Sequence, residues 1–240
     1  MSVSLECRKV KRTGFLPVFF GGGILAAAVP VSNMAVRSEM YLNQPGSPIR
    51  ILLGANWQMM AMLNMLLAVS GTCLLYHTEY ADNAMQKMTS LPVRESSVFL
   101  SKAVLTIFMS LFVLVLEAGA VAFCSYHWFE TGSGFWGELC KCFGYSLLLM
   151  LPCIILSLLI SEACRNMWIS LGIGVICVFT ATMLPTADFA LSLFPFAMPF
   201  QIFPGTDMAR SAHYICGAAA ELAVCGMAQL ILVKVRRCFA

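Results

Sequence analysis

Charged residues are scarce in this sequence. Of its 240 residues, 11% are Asp, Glu, Lys or Arg and 60% are hydrophobic, whereas a typical soluble domain is about 25% charged and about 45–50% apolar. Water therefore cannot be the main solvent of this chain. The net charge of +3 is also too small to indicate binding to nucleic acid.

The sequence also lacks the motifs of common catalytic and metal sites. No H-E-x-x-H, G-x-S-x-G or P-C-x-x-C pattern occurs in it. The G-x-x-x-x-G-K-[ST] loop that binds phosphate in P-loop ATPases is missing as well. We therefore predict no enzymatic activity and no bound cofactor or metal ion, and any ATP and Mg²⁺ would be bound by a separate subunit.

The eleven cysteines do not suggest a disulfide framework. They are scattered singly, and most of them lie within apolar runs, where cysteine behaves as a small hydrophobic residue. Cys124, Cys140 and Cys142 would lie near one membrane face, so a bridge among these three remains open at the level of sequence.

Six apolar segments are long enough to cross a bilayer, which takes about 20 residues per helix. They leave no room for a second folded domain, so we predict an all-α, polytopic membrane protein with a single domain over residues 1–240. The segments lie at residues 15–36, 51–76, 98–124, 140–161, 168–186 and 211–233.

The Lys and Arg residues are divided unevenly between the two sides of the predicted membrane. If the N-terminus is inside, eleven of the 15 lie on the cytoplasmic side and four outside, namely Arg37, Arg50, Lys141 and Arg210. Because cytoplasmic loops are enriched in Lys and Arg, we predict that both termini are cytoplasmic.

The loop between the second and third segments contains a predicted amphipathic helix. From Glu79 to Leu91 the apolar residues recur at helical spacing, and Pro92 ends the pattern. From this pattern alone, the helix either rests on the membrane surface or contacts another protein.

The loop at residues 187–210 is apolar and aromatic but interrupted by Pro195, Pro199 and Pro204. Such a segment is too broken to span the membrane and too apolar for solvent. We predict a re-entrant or capping element at the outer face, because irregular backbone at membrane depth must be covered by protein.

Two carboxylates fall within the apolar segments. Glu117 lies in the outer half of the third segment and Glu221 near the middle of the sixth, with Asn64 as the candidate partner of Glu221 at equal depth. Glu162, at the inner end of the fourth segment, is predicted to pair with Arg165. Because a carboxylate costs roughly 2.5–3.5 kcal/mol at mid-bilayer, Glu117 and Glu221 should either form hydrogen bonds inside the bundle or contact a substrate.

The second loop resembles the signature of ABC-2 type permeases. Members of that family carry Glu-Tyr, a polar helix, Ser-Leu-Pro-hydrophobic-Arg/Lys and then a Lys. In this chain the pattern is formed by Glu79, Tyr80, Ser90, Leu91, Pro92, Val93, Arg94 and Lys102. Within the family the chain is most similar to permease subunits of lantibiotic immunity transporters, although small permeases for bacitracin-like peptides share the layout.

The resemblance implies a transport subunit of the bacterial plasma membrane. Two six-span subunits, identical or sibling, would form the pathway, and two ATPase subunits would bind beneath them. The substrate would be an amphiphilic, usually cationic peptide, such as a lantibiotic, expelled from the outer leaflet for self-immunity or resistance.

The resemblance also implies roles for two groups of residues. The helix between spans two and three would be the coupling helix that meets the ATPase, and the loop between spans five and six would be the outer gate. The coupling residues would be Glu79, Tyr80, Met85, Met88, Leu91, Pro92 and Arg94, and the gate residues Pro195, Phe196, Pro199, Phe200 and Pro204.

Two other functions fit a polytopic chain of this kind. A secondary transporter should show several intramembrane charges or repeated halves with broken helices, and the sequence has two isolated carboxylates and no repeat. A membrane assembly protein would need neither a coupling helix nor a gate. Neither alternative accounts for the second loop.

Overall fold

A computed structural model describes the protein at residues 10, 13–81, 95–130, 132, 134–164, 166–184, 189–203 and 208–239, with the side chains of 79–81, 95–96, 208 and 235–239 excluded. All regular secondary structure in these ranges is helical, which confirms the all-α prediction. The six main helices are α1 (Phe15–Leu42), α2 (Pro48–Ala81), α3 (Glu95–Trp128), α4 (Phe135–Ala163), α5 (Met167–Ala181) and α6 (Met208–Phe239). One helical turn, Phe189–Ser192, and a 3-10 turn, Met198–Phe200, lie between α5 and α6.

Five of these helices, all except α5, are long and apolar enough to cross a membrane. The protein is therefore a multi-pass membrane protein, as predicted. The fifth predicted span, 168–186, differs: α5 has 15 residues, about 22 Å of helix. Residues 182–184 form tight turns with hydrogen bonds to the third residue back, because Leu184 precedes Pro185 and a residue before proline disfavours helical dihedral angles.

The long helices extend beyond the predicted apolar segments. The first segment was predicted to end at residue 36, and Arg37 interrupts α1 with non-helical dihedral angles (φ −133°, ψ 31°) before the helix continues to Leu42. Hydropathy therefore located the apolar part of each helix, while the backbone hydrogen bonding continues into more polar residues at the helix ends.

α2 is the central helix and packs against α1, α3, α4 and α5, while α4 also packs against α3, α5 and α6. Two glycines permit close contact. A Cβ atom at Gly71 would lie 2.5 Å from Cε2 of Phe19 on α1, and one at Gly174 on α5 would overlap Val69 of α2. Ser170 of α5 lies beside Cys73 of α2, and Gly174, one turn later, lies beside Val69, one turn earlier. α5 therefore runs antiparallel to α2.

Candidate functional site

The predicted coupling residues lie at the junction of α2 and α3. Glu79 and Tyr80 belong to the last turn of α2, and α3 begins at Glu95. Met85, Met88, Leu91, Pro92 and Arg94 lie outside the described residues, so the helix at 79–91 stays a prediction. The described residues immediately before and after this segment define the predicted inner end of the bundle.

A buried cation lies beside this junction. Lys102 of α3 is 0% exposed, and its Nζ atom donates a hydrogen bond to the Leu75 carbonyl at 3.1 Å. The same ammonium group lies 3.7 Å from the ring centroid of Tyr76, a cation–π geometry. Tyr76 in turn donates from its hydroxyl to Oε2 of Glu162 at 3.3 Å. This contact network ties α2 to α3 and α4 one turn before the coupling segment.

Glu162 is less exposed than its predicted interfacial pair with Arg165 would require. Its exposed fraction is 4%, and it accepts the Tyr76 hydrogen bond, whereas Arg165 lies outside the described residues. The carboxyl group is thus part of the helix packing at the predicted inner end.

A chain of hydroxyl groups lies next to Tyr76 and joins α2, α4 and α5. Ser170 donates to Ser161 at 3.1 Å, Ser161 donates to Thr72 at 3.3 Å, and Thr72 donates to the Val69 carbonyl at 2.9 Å. Cys73 Sγ lies 3.3 Å from Ser170 Oγ. Together with Tyr76, Lys102 and Glu162 these residues form what we call the inner polar cluster.

Sequence reasoning missed the inner polar cluster. Its serines, threonine and cysteine are single small polar residues in apolar runs, which look like ordinary core positions. Lys102 was recognised only as the last residue of the family signature, and nothing in the sequence indicated that its ammonium group would be buried against Tyr76.

Near the middle of the bundle, Asn64 pairs with Glu117 and not with Glu221 as predicted. Asn64 Nδ2 donates to Glu117 Oε2 at 3.0 Å, and the two residues are 3% and 0% exposed. The prediction matched residues by depth alone. α2 and α3 are direct neighbours, whereas α6 packs mainly against α4, and this difference decides which carboxyl group Asn64 reaches.

The Asn64–Glu117 pair has one unused oxygen on each side. Asn64 Oδ1 and Glu117 Oε1 are both buried, and neither has a hydrogen-bond partner. Both are acceptors if the carboxyl group is ionised. A neutral Glu117 that carries its proton on Oε1 can donate a hydrogen bond to Asn64 Oδ1, which gives both unused oxygens a partner. The hydrogen-bonding requirements of the pair therefore favour the neutral carboxyl group.

We predict that the Asn64–Glu117 pair stabilises the fold, because each buried side chain is the hydrogen-bond partner of the other. Glu117→Leu should lower the free energy of unfolding by about 1–3 kcal/mol, because it leaves the Asn64 amide buried and unpaired. Glu117→Gln keeps a donor and an acceptor and should behave like the unaltered protein. Thermal unfolding in detergent measures both variants.

The double variant Asn64→Leu with Glu117→Leu is the control for this prediction. It removes both polar groups, so part of the lost stability should return, because an apolar pair leaves nothing unsatisfied. Asn64→Leu is also measured alone. If the stability losses of Asn64→Leu and Glu117→Leu simply add in the double variant, the two side chains do not stabilise each other and the proposed pair is wrong.

Glu221 has a different environment. It is half-buried on α6, and no hydrogen bond or ion pair joins it to another residue in the described part of the chain. Tyr214, Ala218 and Cys225, which lie at helical spacing from Glu221 on the same face of α6, are all buried. A Cβ atom at Gly217 would overlap Leu193. This face of α6 therefore packs into the bundle, with Glu221 at its edge.

Residues 195–200, between α5 and α6, are buried at the predicted outer end and form only a 3-10 turn. Phe196 is 0% and Phe200 7% exposed, and Pro195 and Pro199 are buried as well, while Pro204 lies outside the described residues. Trp57 of α2 donates from Nε1 to the Pro199 carbonyl at 3.0 Å. This hydrogen bond fastens the segment to the central helix, and its 3-10 turn packs against α2 and α4.

Metal and disulfide chemistry find no support in the described residues. No group of three or more His, Cys, Asp or Glu side chains there could hold a metal ion. The thiols of Cys124, Cys140 and Cys142 are free, so the bridge that the sequence left open is not formed.

A comparison with models of protein families gives a match over most of the chain. The family model described as "ABC-2 family transporter protein" matches residues 2–181, three quarters of the 240-residue chain. The match includes the first five helices and the segment between α2 and α3. Neither the curated proteins nor the solved structures returned a match.

Proposed function

The chain belongs to the ABC-2 family of transporter proteins, and we propose that it is the permease subunit of an ABC exporter. The observation that carries this proposal is the family match over residues 2–181 on a chain without a phosphate-binding loop. A permease of this kind depends on a separate ATPase subunit for ATP and Mg²⁺, and it performs no covalent chemistry itself.

The proposed topology has six passes with both termini in the cytoplasm of a bacterial cell. In this scheme α5 and the segment at 189–203 together complete the fifth pass, since α5 alone has 15 residues. The distribution of Lys and Arg supports this orientation, with eleven on the proposed inner side and four outside.

The proposed coupling path begins at residues 79–92 and enters the bundle through the inner polar cluster. Lys102 holds α3 to the last turns of α2, and Tyr76 holds α2 to α4. A force applied to the coupling segment by a closing ATPase would therefore act on three helices together.

The proposed gate lies at the opposite end. Residues 195–200 are buried against α2 and α4 and held by the Trp57–Pro199 hydrogen bond. Opening would require this bond to break or the segment to move with α2. Since α2 also carries Tyr76 and the start of the coupling segment, one helix links the two ends.

The proposed substrate is an amphiphilic antimicrobial peptide, such as a lantibiotic, removed for self-immunity or resistance. The resemblance of the second loop to immunity permeases supports this class of substrate.

Three measurements test the proposed function. A tagged chain purified from its native membrane should bring down an ATPase subunit whose ATP hydrolysis depends on the chain, and cells lacking the chain should become sensitive to a panel of lantibiotics.

Reporters fused after residue 90 and after Ala240 should be cytoplasmic, and a reporter near residue 205 external. An external reporter at residue 90 would reject the topology, and purification without any ATPase would reject the permease role.

A further inference from the structure

The short α5 leaves part of the central helix uncovered. Gly174 of α5 lies against Val69 of α2, and α5 ends seven residues later at Ala181. Because the two helices are antiparallel, α5 ends opposite about residue 62 of α2. The turns of α2 between Pro48 and that point have no α5 beside them.

The uncovered part of α2 exposes a compact face. Gly54, Ala55 and Gln58 are exposed, and Met59 is 55% exposed. The neighbouring Trp57 points the other way, toward the Pro199 carbonyl. We call the four exposed residues the outer α2 face.

Gln58 lies within the apolar layer of the membrane. The apolar span of α2 runs over Pro48–Thr78, so its middle is residue 63, and Gln58 is about 8 Å from that level. The hydrocarbon core extends about 15 Å to each side of its centre. No described atom forms a hydrogen bond with the Gln58 side chain, and an unpaired amide is costly where no water is available.

The chemistry of the outer α2 face indicates what covers it. Gly54 and Ala55 are small, so the backbone of another helix can approach closely, and glutamine side chains form hydrogen bonds between membrane helices. A cationic ligand would need an acidic partner, and the four residues of this face include none. Hydrocarbon chains would leave the amide unpaired.

An amide is also self-complementary, because it carries both a donor and an acceptor. Two permease subunits that both bind ATPases on the inner side must have the same orientation in the membrane. A two-fold axis along the membrane normal then brings identical residues together at the same depth, as an isologous interface requires.

We propose that the outer α2 face is the contact between two copies of this chain, with Gln58 of one copy hydrogen-bonded to Gln58 of the other. The inference rests on the proposed permease function, which requires paired subunits, and adds the surface and the residue through which they meet. Gly54 and Ala55 allow the two central helices to cross closely at that point, and Met59 packs beside the crossing.

Cysteine crosslinking in native-like membranes tests this contact. The chain carrying Gln58→Cys is expressed alone and oxidised with copper phenanthroline, and covalent dimers are counted on a non-reducing gel. Val115→Cys is the control, because Val115 is 60% exposed on α3 and lies well inside the helix. The unaltered chain gives the background from native thiols.

We expect Gln58→Cys to give several-fold more covalent dimer than Val115→Cys or the unaltered chain. Equal dimer from the two cysteine variants would overturn the proposal. If dimer forms only when a different permease is co-expressed, the partner is a sibling chain and the proposal for a second copy is also wrong.

A second measurement addresses the hydrogen bond itself. Energy transfer between donor- and acceptor-labelled copies in phospholipid vesicles reports self-association. Gln58→Leu should weaken it roughly threefold to thirtyfold, the range for one interhelical hydrogen bond in a membrane, while Met59→Leu on the same face should change it little. Unchanged association of the Gln58→Leu chain would overturn the role of the amide.

Failure of this inference can be told apart from failure of the proposed function. ATPase co-purification is measured on the same membranes. If the ATPase co-purifies but the Gln58→Cys variant does not crosslink, only the α2 contact is rejected. Absence of any ATPase with the unaltered chain rejects the permease role.

Discussion

Replacing Met85 and Met88 together by glutamate should abolish binding of the ATPase subunit while the chain stays folded and inserted in the membrane. These residues belong to the apolar side of the predicted helix at 79–91, which we propose as the coupling helix. An apolar anchor in the centre of an interface is worth about 2 kcal/mol or more, and a buried unpaired charge adds to the loss. The affinity for the ATPase should therefore fall at least about thirtyfold.

The matched control places the same two negative charges on the polar side of that helix. Asn83→Asp with Gln86→Glu should leave ATPase binding nearly unchanged, since the predicted helix places these side chains opposite the anchors. Co-purification and transport-linked ATP hydrolysis measure both double variants. Intact peptide resistance in cells with the Met85 and Met88 variant would contradict the coupling role and favour a helix that merely rests on lipid.

Replacing Lys102 by methionine should lower the free energy of unfolding by about 2–4 kcal/mol. The change removes a charge-assisted hydrogen bond, worth about 1.5–3 kcal/mol, and a desolvated cation–π contact, worth about 2 kcal/mol. Methionine is similar in length, so the loss would not arise from a large cavity. Denaturation in mixed detergent micelles measures the change.

Lys141→Met provides the comparison for that variant. Lys141 is exposed on α4, and the loss of an exposed charge usually changes stability by less than about 0.5 kcal/mol. Equal stability of the two methionine variants would show that the Lys102 contacts do not hold α2 and α3 together, and the coupling path proposed through the inner polar cluster would lose its main support.

The sequence predicted the helices well because membrane insertion depends on a local property. A run of about 20 apolar residues identifies a span without knowledge of its neighbours. The shorter fifth helix is a partial exception: Pro185 marks where it must end, but hydropathy continues to residue 186 and conceals the stop. The residues around Pro195 and Pro199 are buried, as expected for irregular backbone in an apolar segment.

Contacts between helices could not be predicted in the same way. Asn64 was matched to Glu221 by depth, and the structure pairs it with Glu117 because α3 is its neighbour. Likewise, the exposure of Gln58 depends on where α5 ends relative to α2. Lys102 shows the same limit, since its burial requires Tyr76 from another helix. The depth of a residue in the membrane follows from its own segment, whereas the neighbours of a helix depend on how several segments pack.

The length of α5 also concerns the lipid around it. Its 15 residues cover about 22 Å, roughly 8 Å less than an average hydrocarbon layer of about 30 Å. Trp168, Ile176 and Phe179 on this helix are exposed, and acyl chains that contact them would have to shorten or tilt. Such mismatch costs a fraction of a kcal/mol per Å, a few kcal/mol in all. Any conformational change that alters how much of α5 faces lipid will therefore depend on acyl-chain length, and bilayer thickness becomes a thermodynamic variable of this protein.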